Sequence, residues 1–352
     1  MIEQYTIDDI GPGRWDAFVR AHPHGSLYHL SAWHRVMKRS YGIETRYLVD
    51  RDEDGEILSG IPVARPRSLL VGRRNISYPF SDHCDPLVRD GAGLEEMIEY
   101  LSGQSDPFEI RACRLEDEII GIPVDRSFSN YSIPLGLGLE ALYSRLHSSS
   151  VRRRIERAGK AGVEVTECGS EDGLRRYYRL HLATRRRLGL PSQPLLFFQR
   201  LREEFGASGD FKILLAEYQG RDIGGQVLIR HRREAGGSPS GGTMFYKYGA
   251  SDAAFFKLGF NPLLFWRAIK LAAELGCNSL DLGRASESGE PGLALFKSRL
   301  GAEGTPLRYY STAEAYSGAG DSRAARMAGR LLRIAPPVAS RIAGRMFYRY
   351  LG

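Results

Sequence analysis

No run of about 18 apolar residues occurs in this chain, so the sequence predicts no helix that crosses a membrane. The opening MIEQYTIDDIGPGRW is acidic and lacks the basic-then-apolar order of a secretory leader, which makes a cytoplasmic protein the expectation. Cysteine is scarce. Cys84, Cys113, Cys168 and Cys277 stand far apart with no C-x-x-C pair, and they read as reduced structural thiols. A sharper reading makes Cys84 a thiol nucleophile, beside His83 and between Asp82 and Asp85, but chain neighbours point apart and adjacency does not make a dyad. No metal-ligand cluster, Ser-His-Asp order or Walker loop is present, so no metal site is expected.

Net charge is also missing from most of the chain. The total is +7, and residues 321–352 carry +6 of it as seven arginines against one aspartate, which leaves the body at +1. The remaining composition, 42% hydrophobic and 26% charged over 352 residues, suits a soluble globular protein of about two domains of ~150 residues plus an extra segment.

The stretch from Met244 to Gly301 is the most informative. Thr243–Tyr248 is a β-prone segment with three aromatics. Pro262 then sits in the first turn of a helix on which Leu263, Phe265, Trp266, Ile269, Leu271 and Leu275 recur, and Gly276 ends it. Asn278–Gly283 reads as a short strand with Leu280 and Leu282 on one face and Asp281 on the other. A glycine- and serine-rich loop with Arg284 follows, then a short helix presenting Phe296 and Lys297. An acid on a strand end, a loop cation and a helix lysine together outline a polar cleft.

Upstream, residues 26–40 read as an amphipathic helix entered by a loop, and Tyr47–Val49 and Ile57–Val63 as strands joined by an acidic turn. YLVDRDEDGEILSGIPVARP and LLAEYQGRDIGGQVLIRHRR share one design of strand, polar turn, small residues, strand and basic end, which indicates an internal duplication of ~150 residues. Between the copies, Leu139–Lys160 reads as one long helical segment bearing Arg152–Arg154, and residues 234–242, EAGGSPSGG, as a flexible hairpin tip.

The runs YKYGASD, NPLLFW, DLGR and GLALFKSRLG resemble the second half of the Fem-type (FemAB-like) aminoacyltransferases, a family of peptidoglycan interpeptide-bridge enzymes and their relatives. The resemblance covers roughly residues 25–312. It implies a mixed α/β fold of two tandem GNAT-like (N-acetyltransferase) domains, 1–138 and 139–312, the second carrying the main active cleft, with a basic helical tail at 313–352. It implies transfer of an aminoacyl or other acyl group to an amine on a cell-envelope or lipid-linked glycan precursor. Aminoacyl-tRNA would be the donor co-substrate, with no further cofactor. A CoA-dependent N-acyltransferase and a non-catalytic binding module of an envelope-assembly complex stay open as alternatives.

The family's Phe-Lys pair matches Phe296–Lys297, and a fixed ammonium in a dry cleft would lower the energy of the oxyanion formed when an amine attacks an ester. Pattern alone also fits a solvated lysine on a helix whose apolar face is Leu293, Phe296 and Leu300. Asp281 is either an acid orienting Arg284 or Lys297, or a structural acceptor. Arg284 either binds an anion from its glycine-flanked loop or pairs with Glu287 or Glu290. Tyr246 and Tyr248 either line the cleft or belong to the core. By resemblance, Arg185 and Lys38 fall where relatives place cations for the nucleotide phosphates of a cell-wall precursor, and Asp85 matches an acidic loop position at the family's active site.

A CoA-binding GNAT domain would open its central helix with a [Q/R]-x-x-G-x-[G/A] turn, whose bare amides approach the pyrophosphate. FFKLGFNP places Phe256 and Asn261 at the two failing positions, which disfavours CoA. In the tail, arginines repeat at helical spacing beside Met327, Leu331, Ile342 and Met346. An anionic membrane surface, RNA phosphates and packing on the body each fit that pattern, so a peripheral position at the inner face of the membrane is among the expectations.

Overall fold

The two segments of shared design build the same element. Strands β2 (Thr45–Arg51) and β3 (Ile57–Ala64) form an antiparallel hairpin, and so do β11 (Phe211–Tyr218) and β12 (Arg221–Ala235). The computed structural model describes residues 1–68, 72–115 and 118–312; the basic tail at 313–352 lies outside the described residues. Around each hairpin a seven-stranded sheet assembles in the same pattern. The first runs β1 (Glu3–Tyr5), β2, β3, β6 (Asn75–Ile76), β7 (Phe108–Ala112), β16 (Arg308–Ser311) and β8 (Val124–Asp125). The second runs β10 (Glu164–Glu167), β11, β12, β13 (Ser238–Ser251), β14 (Ser279–Ala285), β9 (Ser129–Pro134) and β15 (Glu303–Pro306). A small separate pair joins β4 (Arg67–Ser68) to β5 (Gly72–Arg73).

Neighbours within the two sheets are antiparallel except at β6–β7 and β13–β14, which run parallel. The second parallel pair is short, joining only Thr243–Phe245 to Ser279–Asp281 before the strands diverge. That divergence leaves a gap in the sheet and sets the place of the cleft.

The sheets also exchange strands across the boundary expected at residue 138. β9 leaves the first half and pairs between β14 and β15, while β16 returns from the second half to pair between β7 and β8. The hydrophobic core follows the same logic. Trp15, Tyr28, Trp33 and Tyr47 share one buried cluster with Phe197, Phe198, Ile229 and Phe245. Tyr28 meets Phe245 edge-on at 5.5 Å, and at its edge Arg35 and Arg39 reach Glu204 at 2.9 and 3.3 Å. Each buried aromatic removes roughly 150–250 Å² from water, so the junction is core rather than surface.

Two local expectations change. The helical segment predicted over 139–160 is broken into Leu139–Arg145, a π-turn at Ser148–Arg152 and Arg153–Lys160. Leu146 is extended, and the side chain of His147 accepts from the backbone N–H of Ser150, a local bond that competes with helix in a run of three serines. The hairpin expected at 234–242 is present, but its ladder runs almost to the tip: β12 continues to Ala235, the chain turns at Gly236–Gly237, and β13 begins at Ser238. Helices at Pro12–Ala21 and Leu195–Gly206 complete the shared core; neither was read from the sequence.

Candidate active site

The cleft opens where β13 and β14 part, roofed by the helices Phe260–Glu274 and Pro291–Arg299. Its volume is about 190 Å³, and Gln226, Tyr246, Phe265, Leu282, Phe296 and Lys297 line it. Tyr246 packs on Phe265 at 4.9 Å, and Phe265 meets Phe296 edge-on at 5.5 Å. A Cβ at Gly249 would stand 2.0 Å from the Tyr246 hydroxyl, so a side chain there would displace that phenol. Burial raises the Tyr246 phenol to about 12, so it presents a neutral O–H.

Tyr248 does not share that wall. β13 carries a bulge in which Val227 opposes Tyr248 while Leu228 opposes Tyr246, leaving Lys247 as the extra residue. A bulge breaks the period-2 alternation. Tyr248 is thereby turned to the other face, against Phe197 and Phe198 at 5.7 and 5.2 Å. The expectation that both tyrosines could line the cleft is corrected for Tyr248.

Lys297 is 5% exposed, which removes the solvated-lysine reading. Its Nζ donates to the carbonyls of Gly283 at 2.9 Å and Arg284 at 2.8 Å. Burial lowers its pKa to about 8, against the opposing pull of Asp82 and Asp281. An ammonium has three protons, so two carbonyls fix the nitrogen and leave one N–H for the cleft.

The turn that carries those carbonyls is tied to Asp281. Leu280 and Leu282 face the apolar core, and the Asp281 carboxylate points to the junction between the sheets, accepting from Gly283 N at 2.7 Å and Asn130 Nδ2 at 2.8 Å. Gly283 is left-handed at φ 73°, and a Cβ there would meet Asp82 at 3.1 Å. Asp281 therefore acts on Lys297 through the backbone rather than by the direct contact considered above. Its charged neighbour is His83, whose Nε2 lies 3.7 Å away and whose Nδ1 is 3.2 Å from Asp85. Asp85 is fully buried, accepts from the amides of Cys113 and Arg114 at 2.7 Å each, and is held ionised by His83 and these bonds against the cost of burial. Burial alone would lower the His83 pKa; Asp281 and Asp85 on its two sides overcome that and raise it to about 9.

A second chain of charge runs beside the first. Lys247 donates to the Tyr28 hydroxyl at 2.7 Å, which donates to Asp82 at 3.0 Å. Burial would raise the Asp82 carboxyl, but Lys247, Arg284 and the Tyr28 bond hold it down at about 2. Arg284 is exposed, with its guanidinium 4.4 Å from the Phe128 ring and 4.0 Å from Asp82. Asp82, not the expected Glu287 or Glu290, is its carboxylate neighbour. Cys84 is buried and its thiol is pushed well up by burial and by Asp85, so the nucleophile reading is corrected.

Two expected cations stand apart from the cleft. Lys38 pairs with Glu44 at 3.1 Å on the exposed side of the helix Ser31–Tyr41, and Arg185 Nε donates to Pro191 O at 2.9 Å. Asp82, His83, Lys247 and Gln226 went unassigned. The charged run Asp82-His83-Cys84-Asp85 between apolar segments was the available signal, and only the fold shows that its histidine matters more than its thiol. Among the described residues no group of His, Cys, Asp and Glu could hold a metal ion, and no helix is long and apolar enough to cross a membrane.

Residues 145–291 match an acetyltransferase (GNAT) domain. The chain is 25% identical over 157 residues to the UDP-N-acetylmuramoylpentapeptide-lysine N(6)-alanyltransferase of Weissella viridescens, covering 43% of this chain and 42% of the relative. It is 20% identical over 235 residues to the lipid II:glycine glycyltransferase of Staphylococcus haemolyticus, covering 59% and 54%. The aligned region thus spans about half the length of these curated relatives. In structure it superposes on FemX with a TM-score of 0.61 at 16% identity, over 88% of this chain and 97% of that one. These relatives bear out the resemblance to Fem-type transferases read from the sequence, and the fold is mixed α/β with two tandem GNAT-type units.

Proposed function

We propose, for a chain with a GNAT domain and Fem-type relatives, that it transfers an aminoacyl group from aminoacyl-tRNA to an amine on a cell-envelope or lipid-linked glycan precursor, at the inner face of the membrane. One observation carries the reading: a buried lysine fixed by two carbonyls at the wall of an aromatic-lined cleft. Attack of the acceptor amine on the donor ester forms a C–N bond and places negative charge on the former carbonyl oxygen. The remaining Lys297 N–H stabilises that oxygen, and the ester C–O bond then breaks with the proton passing from nitrogen to the departing oxygen. The carbonyls of Gly283 and Arg284 keep the ammonium in place before charge develops, so no reorganisation is needed at that moment.

The test is transfer of radiolabelled amino acid from charged tRNA to an isolated envelope precursor. Lys297→Ala is expected to reduce transfer by about 100-fold or more, the scale of losing one oxyanion donor. With Lys297 near 8, the wild-type rate is expected to fall as pH rises through about 8 while the ammonium is lost. A fully active Lys297→Ala protein, or a rate that rises through that range, removes Lys297 from this role.

The GNAT match favours one second reading, a CoA-dependent N-acyltransferase. The start of the helix at Phe260 bears on it, because Asn261 lines the cleft where a small residue is required and Pro262 has no N–H to offer a phosphate.

A further inference from the structure

The floor of the cleft holds a polar group that the protein does not satisfy. Gln226, on β12, is 2% exposed and lines the cleft, and its Oε1 has no hydrogen-bond partner among the described residues. Its neighbours across the strands are Leu214 on β11 and Gly249 on β13. The same face of the sheet is otherwise apolar, with Leu214, Ala216, Leu228 and Met244 in one cluster. A buried amide oxygen without a donor costs about 1–3 kcal/mol, and a leucine would fit this face without that cost. A carboxamide at this point is accounted for by a ligand that supplies the missing donor.

Resting on the acyl-transfer reading, we propose that the Gln226 carboxamide recognises the α-amino group of the donor's acyl moiety, which makes this one residue the discriminator between an α-aminoacyl group and a simple acyl group. Oε1 accepts one N–H, which an α-amine has and an acetyl or other alkyl acyl group lacks. The acceptor is a neutral amide rather than a carboxylate, which suits an amine held in the same cleft as the Lys297 ammonium, since a carboxylate there would pair with the lysine instead. Sites built to bond a substrate N–H discriminate strongly against analogues without it, because their buried polar group is then left unpaired.

The experiment uses the full chain labelled with nitrogen-15, with the Gln226 side-chain amide assigned by its loss in Gln226→Leu. Alanine methyl ester and methyl propanoate serve as probes, since the second lacks both the amine and any other N–H. The alanine ester is expected to shift the Gln226 resonance saturably and to bind at least about tenfold more tightly than methyl propanoate. In Gln226→Leu the two esters should bind equally. Equal binding of the two esters to the wild-type protein, or no saturable shift with the alanine ester, overturns the proposal without recourse to any variant. Lys297-dependent transfer alongside that result would leave the transferase reading standing. Selectivity for the alanine ester with no transfer would sink the transferase reading and keep the amine site.

Discussion

His83 concentrates the unusual electrostatics of this protein in one ring. It bridges Asp85, anchored to two amides of the first half, and Asp281, which positions the turn that holds Lys297. Its folded pKa of about 9 stands above the ordinary 6.5, so its stabilisation is fully present below pH 6.5 and is lost as pH rises through about 9. A shift of that size corresponds to roughly 3 kcal/mol. Urea unfolding at a series of pH values should therefore show stability declining between about 6.5 and 9, and His83→Gln should be less stable at pH 6 and largely lack that slope. A variant with the wild-type slope would assign the pH dependence elsewhere. Asp82 works in the opposite direction. Its depressed pKa stabilises the fold above the ordinary carboxylate value of 3.8 and fails only as pH drops through about 2.

At the scale of elements, the start of the helix Phe260–Glu274 decides between donors. Gly259 caps it in the left-handed region at φ 83°, yet the positions after it are Phe260, buried in the core, then Asn261 and Pro262. Phe256 stands 42% exposed, with the Arg187 guanidinium 5.3 Å from its ring, where a CoA-binding turn needs a polar side chain. Charge-assisted hydrogen bonds contribute about 1.5–3 kcal/mol each. Losing two or three of them moves a micromolar ligand towards millimolar. Calorimetric titration with acetyl-CoA is expected to show no saturable binding below about 1 mM. A micromolar isotherm would instead promote the CoA-dependent reading. The bulge at Lys247 is the other decisive element, since the same extra residue sends Tyr248 into the core and delivers Lys247 to Tyr28 and Asp82.

Over the whole molecule, strand exchange and a shared core are expected to make the halves one cooperative unit. β9 and β16 each complete the other half's sheet, and Tyr28, Trp33 and Trp15 are buried in a cluster contributed by both. Residues 1–138 expressed alone would leave β9 unpaired and expose Tyr28 and Trp33, and are expected to give neither a dispersed NMR spectrum nor a cooperative melt. The intact chain should unfold in a single transition, with tryptophan fluorescence and far-ultraviolet circular dichroism coincident. Two separated transitions would show independent domains.

Periodicity and turn chemistry within the sequence determined a good part of this protein. Local signals suffice for the helix with Pro262 in its first turn and Gly276 beyond its end, for the alternation of Leu280, Asp281 and Leu282, and for the repeated hairpin, because each depends on residues a few positions apart. The pairing of Phe296 and Lys297 on one helix was legible in the same way, although only resemblance singled it out. Tertiary structure decided the rest. A β-bulge is an insertion relative to a partner strand, so the separation of Tyr246 from Tyr248 is invisible without Val227 and Leu228 opposite. The meeting of His83 with Asp281, which lie in opposite halves of the chain, depends on two sheets docking, and so do its raised pKa and the low pKa of Asp82. Burial converts Lys297 from a solvated cation into a held one, and burial is a property of the packed chain, which no window of sequence contains.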